Sequence, residues 1–356
     1  MFGKLFTRIK LATGIIKFWY VVFIFDAHQR SANWTDLELR DFALLLKKHK
    51  VKYVRIAPEW FDAKVKPPVP TPFLRSLADP TKWDLDRPNP AYDAALLRFK
   101  GFLNRKGVEV WFDLFDNCGS GRPWSAWINN VNGVHGIYEY SDSSIAYYKA
   151  WIKRIFGILG RRSHYGLGNE LTFPAWQNVT EANKWGEKWA LGLATYLRSL
   201  GARYPLSFSA DMAPGGTQSR IIGWLTEVGN WGGRFGERLI HVIHGLGLPE
   251  HWDEVWASDV LSGNVGLGMD EDGVGMGSRI IPPEKRGTCE EPGVRCGVSR
   301  YWFVRTAKRM FGTSGIGKRL RIIVRMPKEV AMSYKPISDL DEDNSLAVFD
   351  DITAQV

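Results

Sequence analysis

Phe18-Trp19-Tyr20-Val21-Val22-Phe23-Ile24-Phe25 is an unbroken apolar run, and Asp26-Ala27-His28-Gln29-Arg30 follows it. A run that is apolar at every position suits a parallel strand covered on both faces. The residues after it discriminate between two architectures. A doubly wound sheet that holds a dinucleotide carries a glycine-rich turn after its first strand. Segment 26–30 has no glycine and no GxGxxG.

Outward from this run, the same unit recurs. Thr35 or Asp36 can cap a helix whose apolar face is expected from Leu37, Phe42, Leu44 and Leu45. Val51–Ile56 reads as strand two. A proline-rich loop runs from Pro58 to Pro90, then a helix over Ala91–Asn104 and strand three over Val108–Phe115. A second long loop, Asp116–Tyr140, precedes a helix over Asp142–Leu159 and strand four at His164–Leu167. Thr180 caps a helix reaching about Leu200. Leu206–Ser209, Leu239–His244, Val265–Gly268 and Leu320–Val324 then read as strands five to eight, with helices expected at 218–228, 250–257 and 301–311. Eight strands alternating with helices predict an α/β chain forming a single (β/α)8 TIM barrel, with long loops after strands two and three. The barrel is expected over residues 18–335. Residues 1–17 read as a basic amphipathic lead-in, and 336–356 as an acidic tail bearing Asp339, Asp341, Glu342 and Asp343.

Composition supports a large folded domain. The 356 residues are 45% hydrophobic, with 36 glycines and 18 prolines, as suits a loop-rich α/β enzyme. The formal charge is +9. The basic residues are scattered over many segments without an interleaved aromatic stripe, so no nucleic-acid partner is expected. The run Phe18–Phe25 is too short to span a bilayer, and Lys17 interrupts the apolar stretch before it, so no stable membrane span is expected. No clean signal-peptide cleavage site follows, which leaves localisation open. Cys289 and Cys296 flank a Pro-Gly turn and can close a small loop, with Cys118 left over; this spacing matches no zinc motif. The composition is silent on oligomeric state. The 16 tryptophans are unusually many; large core residues account for most of them, and the excess hints at carbohydrate. Trp124, Trp127 and Trp176 fall in expected loops, where a ring can stack on a sugar face.

In such a barrel the chemistry sits at the carboxyl ends of the strands. Strand one ends in Asp26, with His28 and Arg30 beyond it. Strand two holds Arg55, and strand three holds Asp113, Asp116 and Asn117. Strand four runs into Gly168-Asn169-Glu170-Leu171. Strand five ends in Asp211, strand six holds His241 and His244, and strand seven runs into Met269-Asp270-Glu271-Asp272-Gly273. A glutamate where a buried strand meets a loop has its pKa raised by burial and can exchange protons, and an adjacent Asn can hold a hydroxyl.

This layout resembles the clan A (β/α)8 glycoside hydrolases and is loosely similar to the family 5 cellulase and mannanase group. The resemblance rests on Asn169-Glu170, on Glu271-Asp272-Gly273, on Val54-Arg55-Ile56-Ala57-Pro58, and on His241 or His244. It implies a retaining glycosidase acting on a polysaccharide or oligosaccharide. Glu170 would be the acid/base and Glu271 the nucleophile, with Asp270 and Asp272 as alternatives for the latter. Asn169 would bind the hydroxyl next to the anomeric carbon, and Arg55 would support the nucleophile. Asp26, Asp116, Asn117, Trp176, His244 and Asp272 are expected to line the substrate site. The partner is carbohydrate, and neither a cofactor nor a metal is implied. The chain departs from the family pattern in three places. Phe115-Asp116 stands where strand three often has a His, Leu171 replaces a frequent proline, and Met326-Pro327-Lys328 replaces an aromatic residue after strand eight. A non-catalytic carbohydrate-binding or structural barrel, at a virion or cell surface, is therefore one alternative. A metal-dependent hydrolase using Asp26, Asp113, His241 and Asp211 is another.

Overall fold

The computed structural model describes residues 7–11, 14–24, 26–58, 68–115, 142–167, 192–204, 206–209, 239–244, 266–270 and 320–325. Among these residues, eight strands form a series of parallel pairs. They are β2 (Gly14–Phe23), β3 (Tyr53–Ile56), β6 (Glu109–Asp113), β7 (His164–Gly166), β8 (Leu206–Ser209), β9 (Leu239–His244), β10 (Gly266–Asp270) and β11 (Leu320–Arg325). Each pairs with the next in that order, and β2 pairs with both β3 and β11, so the pairings return to their start. Val22 shows the closure: it is partnered with Val54 on one side and Arg325 on the other. All eight strands overlap segments that read as strands in the sequence, although β2 begins at Gly14, four residues ahead of the expected Phe18.

Three local features differ from the sequence expectation. The lead-in is a strand, β1 (Thr7–Leu11), paired antiparallel with β2 over Gly14–Phe18. Arg8-Ile9-Lys10-Leu11 alternates polar and apolar residues, which is the period of a strand. The proline-rich loop after β3 contains an antiparallel hairpin of β4 (Phe73–Arg75) and β5 (Trp83–Pro88). In it the Arg75 guanidinium lies 3.7 Å from the centre of the Trp83 ring. A short helix, α1 (Ala27–Arg30), follows β2, and a 3-10 turn at Ser31–Asn33 follows α1.

Helix α2 (Asp36–Lys48) starts at Thr35. The Thr35 hydroxyl accepts from the Glu38 amide at 3.2 Å, and the Glu38 carboxylate accepts from the Thr35 amide at 2.7 Å, a reciprocal capping box. Its buried stripe is Leu39, Phe42, Ala43 and Leu46, spaced i, i+3, i+4 and i+7. The expected face is thus corrected: Leu37 is 55% exposed and Leu44 41% exposed. At 100° per residue both fall off the stripe that Phe42 defines. Helix α3 (Pro90–Arg105) is capped by Asn89, whose side chain accepts from the Ala91 amide at 3.1 Å, and has Pro90 in its first turn. It ends at Gly107, whose φ of +80° suits glycine. Helix α4 (Asp142–Leu159) follows β6, and Gly192–Ser199 forms α5.

Arg154 of α4 ties three pieces together. It pairs with Asp93 of α3 at 2.7 Å and donates to the carbonyls of Pro72 at 2.7 Å and Asn89 at 3.1 Å. The hairpin's base is thereby fastened to both helices.

Strand alternation divides the sheet residues between two faces. Phe112 packs on His28 and on Trp151 of α4, and Tyr165 packs on Phe156 of α4, so these side chains meet the helices. Tyr53, Arg55, Trp111, Asp113 and His164 occupy the opposite parity and pack on one another away from the helices.

Candidate functional site

Parity puts Arg55 and Asp113 on one face, because Arg55 is level with Trp111 and Asp113 stands two residues further along β6. Their side chains meet. Arg55 Nε donates to Asp113 Oδ2 at 2.6 Å, with exposures of 1% and 0%. Trp111 Nε1 donates to the other oxygen, Oδ1, at 3.0 Å. The guanidinium carbon sits 5.3 Å from the Trp111 ring centre. Below lies an aromatic floor, with the His164 ring 4.3 Å from that of Trp111 and 5.6 Å from that of Tyr53. Burial, then the Arg55 and Arg198 charges, push the His164 pKa down to about 3, so this ring is neutral at neutral pH. Tyr53 is held protonated, first by burial and then by the Glu109 charge.

Strand one contributes a second buried ion pair. Asp26, 2% exposed, accepts from Arg30 Nε at 2.7 Å. Its other oxygen, Oδ1, is buried and has no hydrogen-bond partner among the described residues. Burial raises the Asp26 pKa, and Arg30 opposes that rise. The Ile24 amide donates to the Arg55 carbonyl at 2.9 Å, so Asp26 emerges beside the end of β3. His28 is turned away from this end. It is fully buried, lies 2.8 Å from the Tyr92 hydroxyl through Nε2, and has its pKa pushed down to about 3 by burial. It serves packing between sheet and helices.

Of the residues expected at the site, Arg55 and Asp26 are seen with their surroundings. His244 is level with Asp270 in the backbone register of β9 and β10. Asn169, Glu170, Glu271, Asp272, Asp116, Asn117 and Trp176 lie outside the described residues. The chain reaches Asn169 three residues after Gly166, the end of β7, and Gly166 is level with Asp113. The sequence reading missed the floor of Trp111, His164 and Tyr53. Its signal was the two-residue alternation that places Tyr53 with Arg55 and Trp111 with Asp113. Among the described residues no group of three or more His, Cys, Asp or Glu side chains could hold a metal ion, and no helix is long and apolar enough to cross a membrane.

No protein-family model matches the chain. Nor does any curated protein sequence. The fold is similar to that of an endo-1,4-beta-mannanase from Rhizomucor miehei, with a TM-score of 0.55 at 10% identity over 98% of each chain. It is also similar to a glycoside hydrolase family 5 protein from Bacteroides vulgatus, with a TM-score of 0.50 at 12% identity over 86% of this chain and 58% of that one. An endo-glycoceramidase II from Rhodococcus sp. gives a TM-score of 0.50 at 11% identity, over 86% of this chain and 73% of that one. The chain thus resembles the clan A (β/α)8 glycoside hydrolases in fold. At such identities the likeness is one of fold, and function has to be argued from the site.

Proposed function

We propose that this chain is a single (β/α)8 barrel that hydrolyses a polysaccharide or oligosaccharide by a retaining, two-carboxylate mechanism. Glu170 is the acid/base, and Glu271 the nucleophile. The observation that carries this reading is positional. In the sequence Asn169-Glu170 comes three and four residues after the fourth parallel strand, and that strand pairs with a third whose last residue, Asp113, is locked to Arg55 of the second. An arginine there favours ionised carboxylates nearby, while a less solvated glutamate keeps its proton. That is the asymmetry glycoside hydrolysis needs.

In the first step Glu170 gives its proton to the glycosidic oxygen as the Glu271 carboxylate attacks the anomeric carbon, and the leaving sugar departs as an alcohol. Water then attacks the anomeric carbon with Glu170 as base. The glycosyl-enzyme bond breaks, and the Glu271 carboxylate is restored. Retention calls for carboxyl groups about 5 Å apart. Asn169 holds the neighbouring hydroxyl. Asp26, Asp116, Asn117, Trp176, His244 and Asp272 line the cleft shaped by the long loops after strands two and three. Asp26 and Asp113 each bear an arginine partner, a poor arrangement for a divalent cation, so the metal-hydrolase alternative is not favoured.

The mannanase fold likeness makes β-1,4-linked mannans and glucans the first substrates to try. Wild type should release reducing sugar with the anomeric configuration retained, read by proton NMR. Glu170→Gln should lower kcat by about 100-fold or more while substrate binding survives. A 2-deoxy-2-fluoro glycoside should label one strand-seven carboxylate, and peptide mapping should place it on Glu271 rather than Asp270 or Asp272. Glycan binding without hydrolysis by wild type would instead establish a non-catalytic carbohydrate-binding barrel.

A further inference from the structure

We propose that the end of the barrel where the strands begin, opposite the candidate site, is a basic docking face for an anionic lipid bilayer. This face stands apart from the glycosidase site, so it holds or fails without that reading.

The described connectors that lead from a helix into a strand are short. Residues 49–52 join α2 to β3, 106–108 join α3 to β6, and 160–163 join α4 to β7. Residues 200–204 follow α5 on the way to β8. These segments hold Lys50, Lys52, Lys106, Arg161, Arg162 and Arg203, and no Asp or Glu. They are far apart in the chain, but β3, β6, β7 and β8 are consecutive in the sheet, so their amino ends lie side by side. Interactions between the connectors agree. Lys52 pairs with Glu109, the first residue of β6. Burial raises the Tyr204 pKa, the Glu109 charge adds to that rise and the Arg162 charge opposes it. Arg161 Nε lies 3.0 Å from where a Cβ on Gly201 would stand, so glycine leaves room for the guanidinium. The fold thus gathers basic residues that are scattered along the sequence.

Helix carboxyl ends attract cations through their partial negative charge, and this accounts for Lys47 and Lys48 of α2 and Arg105 of α3. Lys50, Arg161, Arg162 and Arg203 lie beyond the helices, are exposed, and pair with no carboxylate among the described residues. Lys50 is the most telling. Its φ is +59°, in the left-handed region that favours glycine, and the ends of α3, α4 and α5 carry Gly107, Gly160 and Gly201 in that region. A lysine is kept where a glycine would be less strained. Like charges gathered in this way repel one another, and a partner of opposite charge relieves the repulsion. Short connectors raise no walls for a groove. None of the four contains a Trp or Phe on which a base could stack, so a broad anionic surface fits this face better than a nucleic-acid strand.

The test is co-sedimentation of the full chain with vesicles of phosphatidylcholine carrying about 30% phosphatidylserine, against vesicles of phosphatidylcholine alone. The protein should bind the anionic vesicles at about 50 mM salt, leave them at about 500 mM, and ignore the neutral ones. Arg161→Glu with Arg162→Glu should weaken binding about tenfold or more. Arg40→Glu with Lys153→Glu changes the net charge equally, on exposed helix flanks, and should weaken it no more than about twofold. Lys50→Gly removes a charge and relieves the backbone, so it should weaken binding about threefold while leaving Tm no lower. No binding to the anionic vesicles at low salt overturns the proposal. Equal weakening by the two double variants overturns it too, since net charge would then be the cause. Tighter binding to a duplex oligonucleotide than to anionic vesicles, lost in Arg161→Glu with Arg162→Glu, would assign the face to nucleic acid and overturn it as well. Should that double variant fail to fold, Lys50→Gly decides: unchanged vesicle binding in it overturns the proposal.

Discussion

His28 and His164 are each fully buried, and burial pushes each pKa down to about 3 from 6.5. In the unfolded chain both would bind a proton below about pH 6.5. In the folded state they do not until about pH 3. The unfolded state therefore holds more protons across that window, and stability falls as pH falls through it. Each ring contributes roughly 1.4 kcal/mol of loss per pH unit. Asp26 works the other way, since its raised pKa lets the folded state keep a proton longer as pH rises. His164→Phe keeps a flat ring against Trp111 and removes one titration. Thermal unfolding at pH 7, 6, 5 and 4 should give a shallower decline of Tm for His164→Phe than for wild type. The burial of His164 was not legible in the sequence, because a lone histidine opening a three-residue strand carries no sign of which face it occupies. The partnership of Arg55 with Asp113 needed strand register as well. Both residues could be named as site candidates, but 58 positions separate them, and only the alignment of β3 with β6 puts them face to face.

The elements show which local codes are strong. Thr35 and Glu38 satisfy each other's amides at the start of α2, and the Thr35 to Glu38 spacing announces this in the sequence. Thr35→Ala should cost about 1 kcal/mol, read as a lower midpoint in urea with an unchanged slope. The buried face of the same helix was harder to read. Leu37, Leu44 and Leu45 are as apolar as Leu39 and Leu46, so composition did not choose between adjacent stripes. The choice belongs to the neighbours, where Phe42 meets Phe99 of α3 and Trp34 in ring contacts of 6.1 and 5.5 Å. The β4–β5 hairpin was hidden by its prolines, which read as loop. Its pairing is irregular between Phe73 and Leu74, and its position is held by Arg154 from a helix far along the chain.

At the scale of the whole molecule, the strand circuit makes β2 a central strand over its second half and β1 an edge. Val22→Pro removes an amide from a strand paired on both sides, and should be strongly destabilising. Ile9→Pro falls on β1, which among the described residues has a partner on one side alone, and should be tolerated better. Soluble yield and far-ultraviolet circular dichroism of the two variants would test this ranking, and equal loss in both would contradict the closure at β2. The sequence by itself determined the number and order of the parallel strands, because buried strands demand apolar runs and connecting helices demand caps and a 3.6-residue period. It also determined which polar residues fall at strand ends, Arg55 and Asp113 among them. Only the tertiary structure decided how those residues combine. Strand register, face parity and the exclusion of water turned an arginine and an aspartate into one locked pair and made a neighbouring histidine neutral, and none of these is a property of any single segment.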